Sequence, residues 1–358
     1  MKKSLLFAGA MLFSVALSAQ TIVMDGSDAD WAVVPMLNEP GASPIFKMVV
    51  PQDGLTLPEG VAFCAMVERT EEQKETYPGY PVVYVDADKS SATTAAADAW
   101  YCPSFGPDYE MATWDEGNTF GANDAETFHE LCFLQSNFTS IPFVGSLNAW
   151  MLFNWKQLLP NSPGEGGNDW KWSENDYHPI IVKPYSIVDI NGTHAAADIY
   201  SSHEAMTVVN TIDVKGNSAN DLALWASWAV ELKQPAIYDI AADITSTNTA
   251  SVDLALVNMA TNKVVATFES EDLAEGADVT VGEWDLSAVP AGRYMLKFTN
   301  HVGWSAMKLN SVTLTEKSNP SSIVSTVSES KSVKVIRDGQ VLFIRDGKTF
   351  NALGAEVK

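Results

Sequence analysis

Basic residues are scarce in this chain, with 22 Lys and Arg against 45 Asp and Glu in 358 residues. Within residues 21–316 the imbalance sharpens to 13 basic against 41 acidic, a balance of −28. A surface of that sign repels phosphate backbones and anionic headgroups, which excludes nucleic acid as a partner. Neutral or cationic ligands and calcium remain, or the acidity serves solubility alone. Cysteine is also rare: Cys64, Cys102 and Cys132 are the only three, and their spacing is not that of a zinc site. In an exported protein one pair can be oxidised, but three pairings are possible and the sequence does not choose among them. The five histidines, His129, His178, His194, His203 and His301, are scattered without a zinc-peptidase pattern, and no Gly-x-Ser-x-Gly elbow occurs. After residue 20 no apolar run reaches the ~20 residues of a membrane helix. Helical periodicity is almost missing as well.

What is present begins with an export signal over residues 1–20. Lys2 and Lys3 precede an apolar stretch from Leu5 to Leu17, and Ser18, Ala19 and Gln20 close it with small residues. The mature protein is therefore expected outside the cytoplasm, extracellular, on the cell surface or periplasmic. Its length exceeds what one core usually serves, so two domains are expected.

Strand signals run through both halves. Residues 61–67, 81–85, 149–155 and 179–183 are short apolar runs bounded by turn residues. Long polar loops at 86–98 and 160–176 lie between them. Further on, Leu222, Leu224, Ala226, Trp228, Val230 and Leu232 share one strand face, with Trp225, Ser227 and Glu231 on the other. Segments 237–244, 252–257, 293–298 and 309–314 continue that alternation. Pro179 and Pro184 punctuate a boundary near residue 185. The expected fold is all-β: one sandwich over 21–185, a second, jelly-roll-like, over 186–316, a Ser-rich linker at 317–332 and a small C-terminal β-meander at 333–358. In the meander, Ile336-Arg337-Asp338-Gly339 recurs as Ile344-Arg345-Asp346-Gly347. Asp-Gly between alternating apolar residues is a strong hairpin signal.

The segment Met24-Asp25-Gly26-Ser27-Asp28-Ala29-Asp30-Trp31-Ala32-Val33-Val34-Pro35 resembles the opening of family 9 carbohydrate-binding modules and of DOMON-like sandwiches, in which a Trp plugs a sandwich among acidic turns. Residues 224–238, 284–296 and 309–314 resemble strands of family 6 and family 35 carbohydrate-binding jelly rolls, with Ala236 in place of their usual Gly. The tail is similar to the short C-terminal segments of Bacteroidetes proteins that are related to type IX sorting domains. That likeness implies a contact with secretion machinery.

These resemblances imply a polysaccharide or glycan ligand bound without bond cleavage. Such binding needs flat aromatic rings against sugar faces and nearby polar groups for hydroxyls. The aromatic candidates are Trp100, Trp170, Trp172, Trp225 and Trp304, each weighed against ordinary packing. Trp31, Trp150, Trp155 and Trp228 are assigned to the core. Asp86 and Asp88 sit on one side of an extended segment, suited either to structural calcium or to a plain capped turn. Glycoside hydrolysis would need two carboxylates at a fixed separation, and Glu110, Asp115 and Glu126 are weighed for it against solvated loop acids. A haem site using Met and His129 lacks a diagnostic pairing. An adhesion scaffold that binds no sugar is the alternative function.

Overall fold

A computed structural model describes residues 20–76, 79, 81–90, 98–102, 106–109, 120–122, 125–138, 145–153, 157–159, 180–203, 207–208, 211–214, 224–246, 250–300, 307–317, 333–337, 340–345 and 348–351. The expected signal peptide, apart from Gln20, lies outside them. The fold is all-β, and Gln73–Thr76 is the only α-helical segment among the described residues.

The first sandwich faces a four-stranded sheet against a six-stranded one. The smaller sheet runs in the order Ile45–Val49, Val61–Glu68, Phe128–Leu134, Phe120–Ala122. The larger runs Gln157–Leu159, Leu147–Phe153, Pro81–Asp86, Ala99–Cys102, Gly106–Tyr109, and Ile180–Val182 also pairs with Leu147–Phe153. Alternate residues meet between the sheets: Phe46, Met48, Phe63, Ala65, Val67, Leu131 and Phe133 from one, Val83, Val85, Ala149 and Met151 from the other.

The outer face of the smaller sheet is covered too. The segment carrying Ile22, Trp31 and Val34 closes over Val49, Cys64, Met66, Phe128 and Cys132, forming a second core around the fully buried Trp31 ring. Residues that alternate out of the main core are thereby kept from water, so Val61–Glu68 reads as continuously apolar rather than alternating. Glu130 lies at the centre of this closure. Its Oε1 accepts the Trp31 indole N–H at 2.7 Å, and its Oε2 accepts the backbone N–H groups of Asp25 and Gly26 at 3.0 and 2.8 Å.

In the second sandwich one sheet runs Val188–Asp189, Trp225–Leu232, Gly292–Thr299, Asp253–Asn258, Val264–Phe268. The other runs Thr207–Val208, Ile212–Val214, Met307–Glu316, Ile237–Ser246, Gly276–Asp285. Leu224, Ala226, Trp228, Val230 and Leu232 all enter the core between them, as the alternation predicted.

The opposite face of that sheet is buried as well. Ala229, Val257, Met259 and Met295, with Tyr200, join the core of the first sandwich, so residues 20–316 lie within one compact unit. Polar contacts fix the joint. Lys47 is buried and its Nζ donates to the carbonyls of Trp31 and Met259, both at 2.8 Å. Asn262, at φ 50, accepts the Gly41 N–H at 2.9 Å and donates to the Ala42 carbonyl at 2.6 Å. The Ser201 hydroxyl donates to the Met36 carbonyl, and Lys297 pairs with Glu39.

Residues 317–358 form a separate unit. Val333–Arg337, Gln340–Arg345 and Lys348–Asn351 make the three-stranded antiparallel meander that the repeat predicted. Arg337 pairs with Gln340 and Arg345 with Lys348, which leaves two residues for each connection. The Asp-Gly turns themselves lie outside the described residues.

Candidate functional site

The larger sheet of the first sandwich has a second face, and the strand period of two decides what it carries. Val83 and Val85 point into the core from Pro81–Asp86, so Val82, Tyr84 and Asp86 point away from it. Leu147, Ala149 and Met151 point inward from the neighbouring strand, which turns Asn148 and Trp150 outward. Ala99 points inward, which turns Trp100 outward.

Register then aligns these residues in rows. Tyr84 stands opposite Trp150 on one side and Trp100 on the other, giving an aromatic row across three strands. The Tyr84 and Trp100 ring centroids are 6.1 Å apart with planes 31° from parallel. Trp150 and Tyr84 are buried, whereas Trp100 is half-buried. The buried Trp150 indole N–H has no hydrogen-bond partner among the described residues.

The next row is polar. Asp86 stands opposite Asn148, whose Nδ2 donates to Asp86 Oδ2 at 3.0 Å. Beyond the strand end the chain turns back at Lys89, which is at φ 58, and the Ser90 N–H donates to both Asp86 Oδ1 at 3.1 Å and Asp88 Oδ1 at 2.9 Å. The antiparallel return brings in Asp98, whose Oδ2 accepts the Ala87 N–H at 2.7 Å. Asp86, Asp88 and Asp98 each place a carboxylate oxygen within 4.8 Å of the others. Among the described residues this is the one group of three His, Cys, Asp or Glu side chains with metal-holding spacing. Burial raises the Asp98 carboxyl above its ordinary value, and the nearby Asp88 and Asp86 charges add to that rise. Hydrogen bonding from Ser90 holds Asp88 below the usual carboxylate range.

Trp100, Asp86 and Asp88, chosen from the sequence, thus belong to one corner of one sheet. Asp98, Tyr84, Trp150 and Asn148 complete it and were not chosen as ligand residues. Their signal was the pairing of two apolar runs as neighbouring strands, which fixes what stands opposite what. Trp225 is placed differently. It is 5% exposed, on the strand face where Ser227 and Ala229 are buried, so it presents no open ring. Trp170, Trp172 and Trp304 lie outside the described residues, as do Trp155, Glu110, Asp115, His178 and His301. Trp31 and Trp228 are core residues, and the Trp228 indole donates to the Ala195 carbonyl at 2.8 Å. Glu126 is exposed, at φ 55. His129 is buried and bonded through Nε2 to the Glu126 carbonyl; burial pushes its imidazole down to about 4, so it is neutral at pH 7.

No family model matches the chain, and no curated protein matches it. Solved structures do match. A Clostridium stercorarium family 6 carbohydrate-binding module in complex with cellobiose is 10% identical, with a TM-score of 0.26, over 37% of this chain and 98% of that one. The mannan-binding module from Man5C, in its bound conformation, is 22% identical with a TM-score of 0.24, over 34% of this chain and 96% of that one. The Podospora anserina family 26 β-(1,4)-mannanase with a family 35 module is 15% identical with a TM-score of 0.24, over 36% of this chain and 28% of that one. These likenesses are distant, and the site is read from its own residues.

Proposed function

We propose that this chain binds polysaccharide without cleaving it, on the outward face of the larger sheet in the first sandwich. The observation that carries the reading is the half-buried Trp100 ring beside Tyr84, next to a row of Asn148 and Asp86. Trp100 supplies an apolar surface for the C–H face of a sugar ring, and the amide and carboxylates supply acceptors and a donor for its hydroxyls. The sequence resemblances to carbohydrate-binding families support the same ligand class. Calcium fits the adjacent corner, since it takes several oxygen ligands at once and would relieve the mutual repulsion of Asp86, Asp88 and Asp98. Its role there is to fix the turn at residues 86–90 beside Trp100. Export through residues 1–20 and sorting through the C-terminal segment belong to this proposal, and they place the protein where such polymers occur.

Affinity electrophoresis of the protein through gels containing soluble glucan, mannan or xylan, with and without calcium, tests the reading. The native protein should be retarded by at least one polymer. Trp100→Ala should weaken that retention about tenfold, the equivalent of ~1.4 kcal/mol, while Trp100→Phe retains part of it. No retardation by any polymer in either condition, or full retention by Trp100→Ala, rejects the site.

A further inference from the structure

Cys64 and Cys132 occupy directly opposed positions in the antiparallel pair formed by Val61–Glu68 and Phe128–Leu134. Their Sγ atoms are 3.8 Å apart. Both side chains are fully buried, in the cluster built around Trp31. Directly opposed residues of antiparallel strands hold their Cα atoms about 4.5 or 5.5 Å apart, inside the span of a disulfide. Bringing the sulfurs to the bonded distance of about 2.05 Å is within reach of side-chain rotation. Cys102 belongs to a strand of the opposing sheet. The geometry therefore chooses among three pairings that the sequence leaves equal.

We propose that Cys64 and Cys132 are an oxidation site, joined as an intramolecular disulfide by exchange with a disulfide oxidant, and that Cys102 stays a thiol. In that exchange the thiolate of one cysteine attacks the oxidant, R–S–S–R, and expels R–S⁻. The thiolate of the second cysteine then displaces the other R–S⁻, forming the Sγ–Sγ bond. The oxidant takes up two electrons, and the two thiol protons leave with the two R–S⁻ groups as R–SH.

The order of events follows from burial. A thiolate is the reacting species, and burial pushes the Cys64 thiol well up, with Cys132 adding to the rise. Exchange therefore belongs to the chain before the Trp31 segment has closed over the sheet. Once closed, the bond is sealed from reductant.

The test uses the full chain, refolded from urea with oxidised glutathione, then unfolded in iodoacetamide without reductant and mapped by mass spectrometry. Alkylation at Cys102 alone, with a peptide pair linked through Cys64 and Cys132, is the expected result, and Cys102→Ser should keep the same linkage. Three alkylated cysteines, a linkage that includes Cys102, or glutathione retained on Cys64 or Cys132 overturns the proposal.

Discussion

The Glu130 closure makes stability depend on pH in a direction opposite to that of an ordinary surface carboxylate. Glu130 is fully buried, and burial raises its carboxyl to about 7 from the ordinary 4.5. The bonds from Trp31 and Gly26 pull it down, while the neighbouring Asp30 and Asp25 charges push it up. A folded-state value above the unfolded one means that the native protein holds a proton the unfolded chain has released. Stability from this group is thus complete below about pH 4.5 and lost as pH rises to about 7. At 1.36 kcal/mol per pH unit, the window amounts to about 3 kcal/mol. Glu130→Gln removes the titration. It also turns an amide N–H₂ toward one set of N–H donors, at a cost of about 1–3 kcal/mol. The variant should therefore be the weaker protein near pH ~4.5, with the gap closing by about 3 kcal/mol toward pH ~8. Urea unfolding of both proteins across that range, followed by Trp fluorescence, measures the difference, and subtraction cancels the carboxylates they share. A native-minus-variant difference that stays constant across the range refutes the reasoning.

Three further perturbations address the other parts of the unit. Gly26→Ala should destabilise by more than ~2 kcal/mol in the same unfolding assay, because Gly26 has φ +78 and a Cβ there would meet the Ala122 carbonyl oxygen at 2.5 Å. Lys47→Met removes the buried amine that bridges Trp31 and Met259 and strands two carbonyls at the joint, so it should cost about 2–5 kcal/mol of urea-measured stability; an unchanged midpoint would show that the joint contributes nothing. Saturating calcium, at about 100 times its dissociation constant, should stabilise the native protein by ~2.7 kcal/mol in thermal melts. Asp98→Asn should abolish that shift, and an equal shift in the variant would place the ion elsewhere.

The strands of the second sandwich were legible because residues 224–232 alternate without interruption and only one of their faces needs to be apolar for the pattern to show. What the pattern could not say was what lies against the other face. Trp225 reads as outward from its strand, yet Ser227 and Ala229 on the same face are buried, and Ala229 packs with the first sandwich. That burial depends on how two sandwiches meet, through Asn262, Lys47 and Met259, residues far apart in sequence. Phe128–Leu134 was missed because His129 and Glu130 interrupt an apolar run. The burial of Glu130 becomes intelligible only once Trp31 is known to lie over it. Asp98 was missed for a similar reason. It follows Asp88 by a long loop and reaches it only through the pairing of Val85 with Ala99.

The first sandwich thus carries buried acids behind both of its sheets, and the surroundings of the two sets differ. Glu130 receives three N–H donors from its own chain, one of them an indole whose ring seals the sheet. Nothing further is needed to satisfy it, and no ligand is required to explain its burial. The corner at Asp86 is built otherwise. Three carboxylates converge there: Asp86 and Asp88 share the Ser90 N–H, Asp86 also accepts the Asn148 amide, and Asp98 accepts the Ala87 N–H. The Asp88 and Asp86 charges add to the rise that burial causes at Asp98, while hydrogen bonding from Ser90 holds Asp88 low, so the repulsion falls on Asp98. On the proposed reading, a multivalent cation or a row of sugar hydroxyls would offset that repulsion. On the same reading the half-buried Trp100 beside it would give such a ligand an apolar surface, whereas the Trp31 ring beside Glu130 is fully buried in the closure of its sheet.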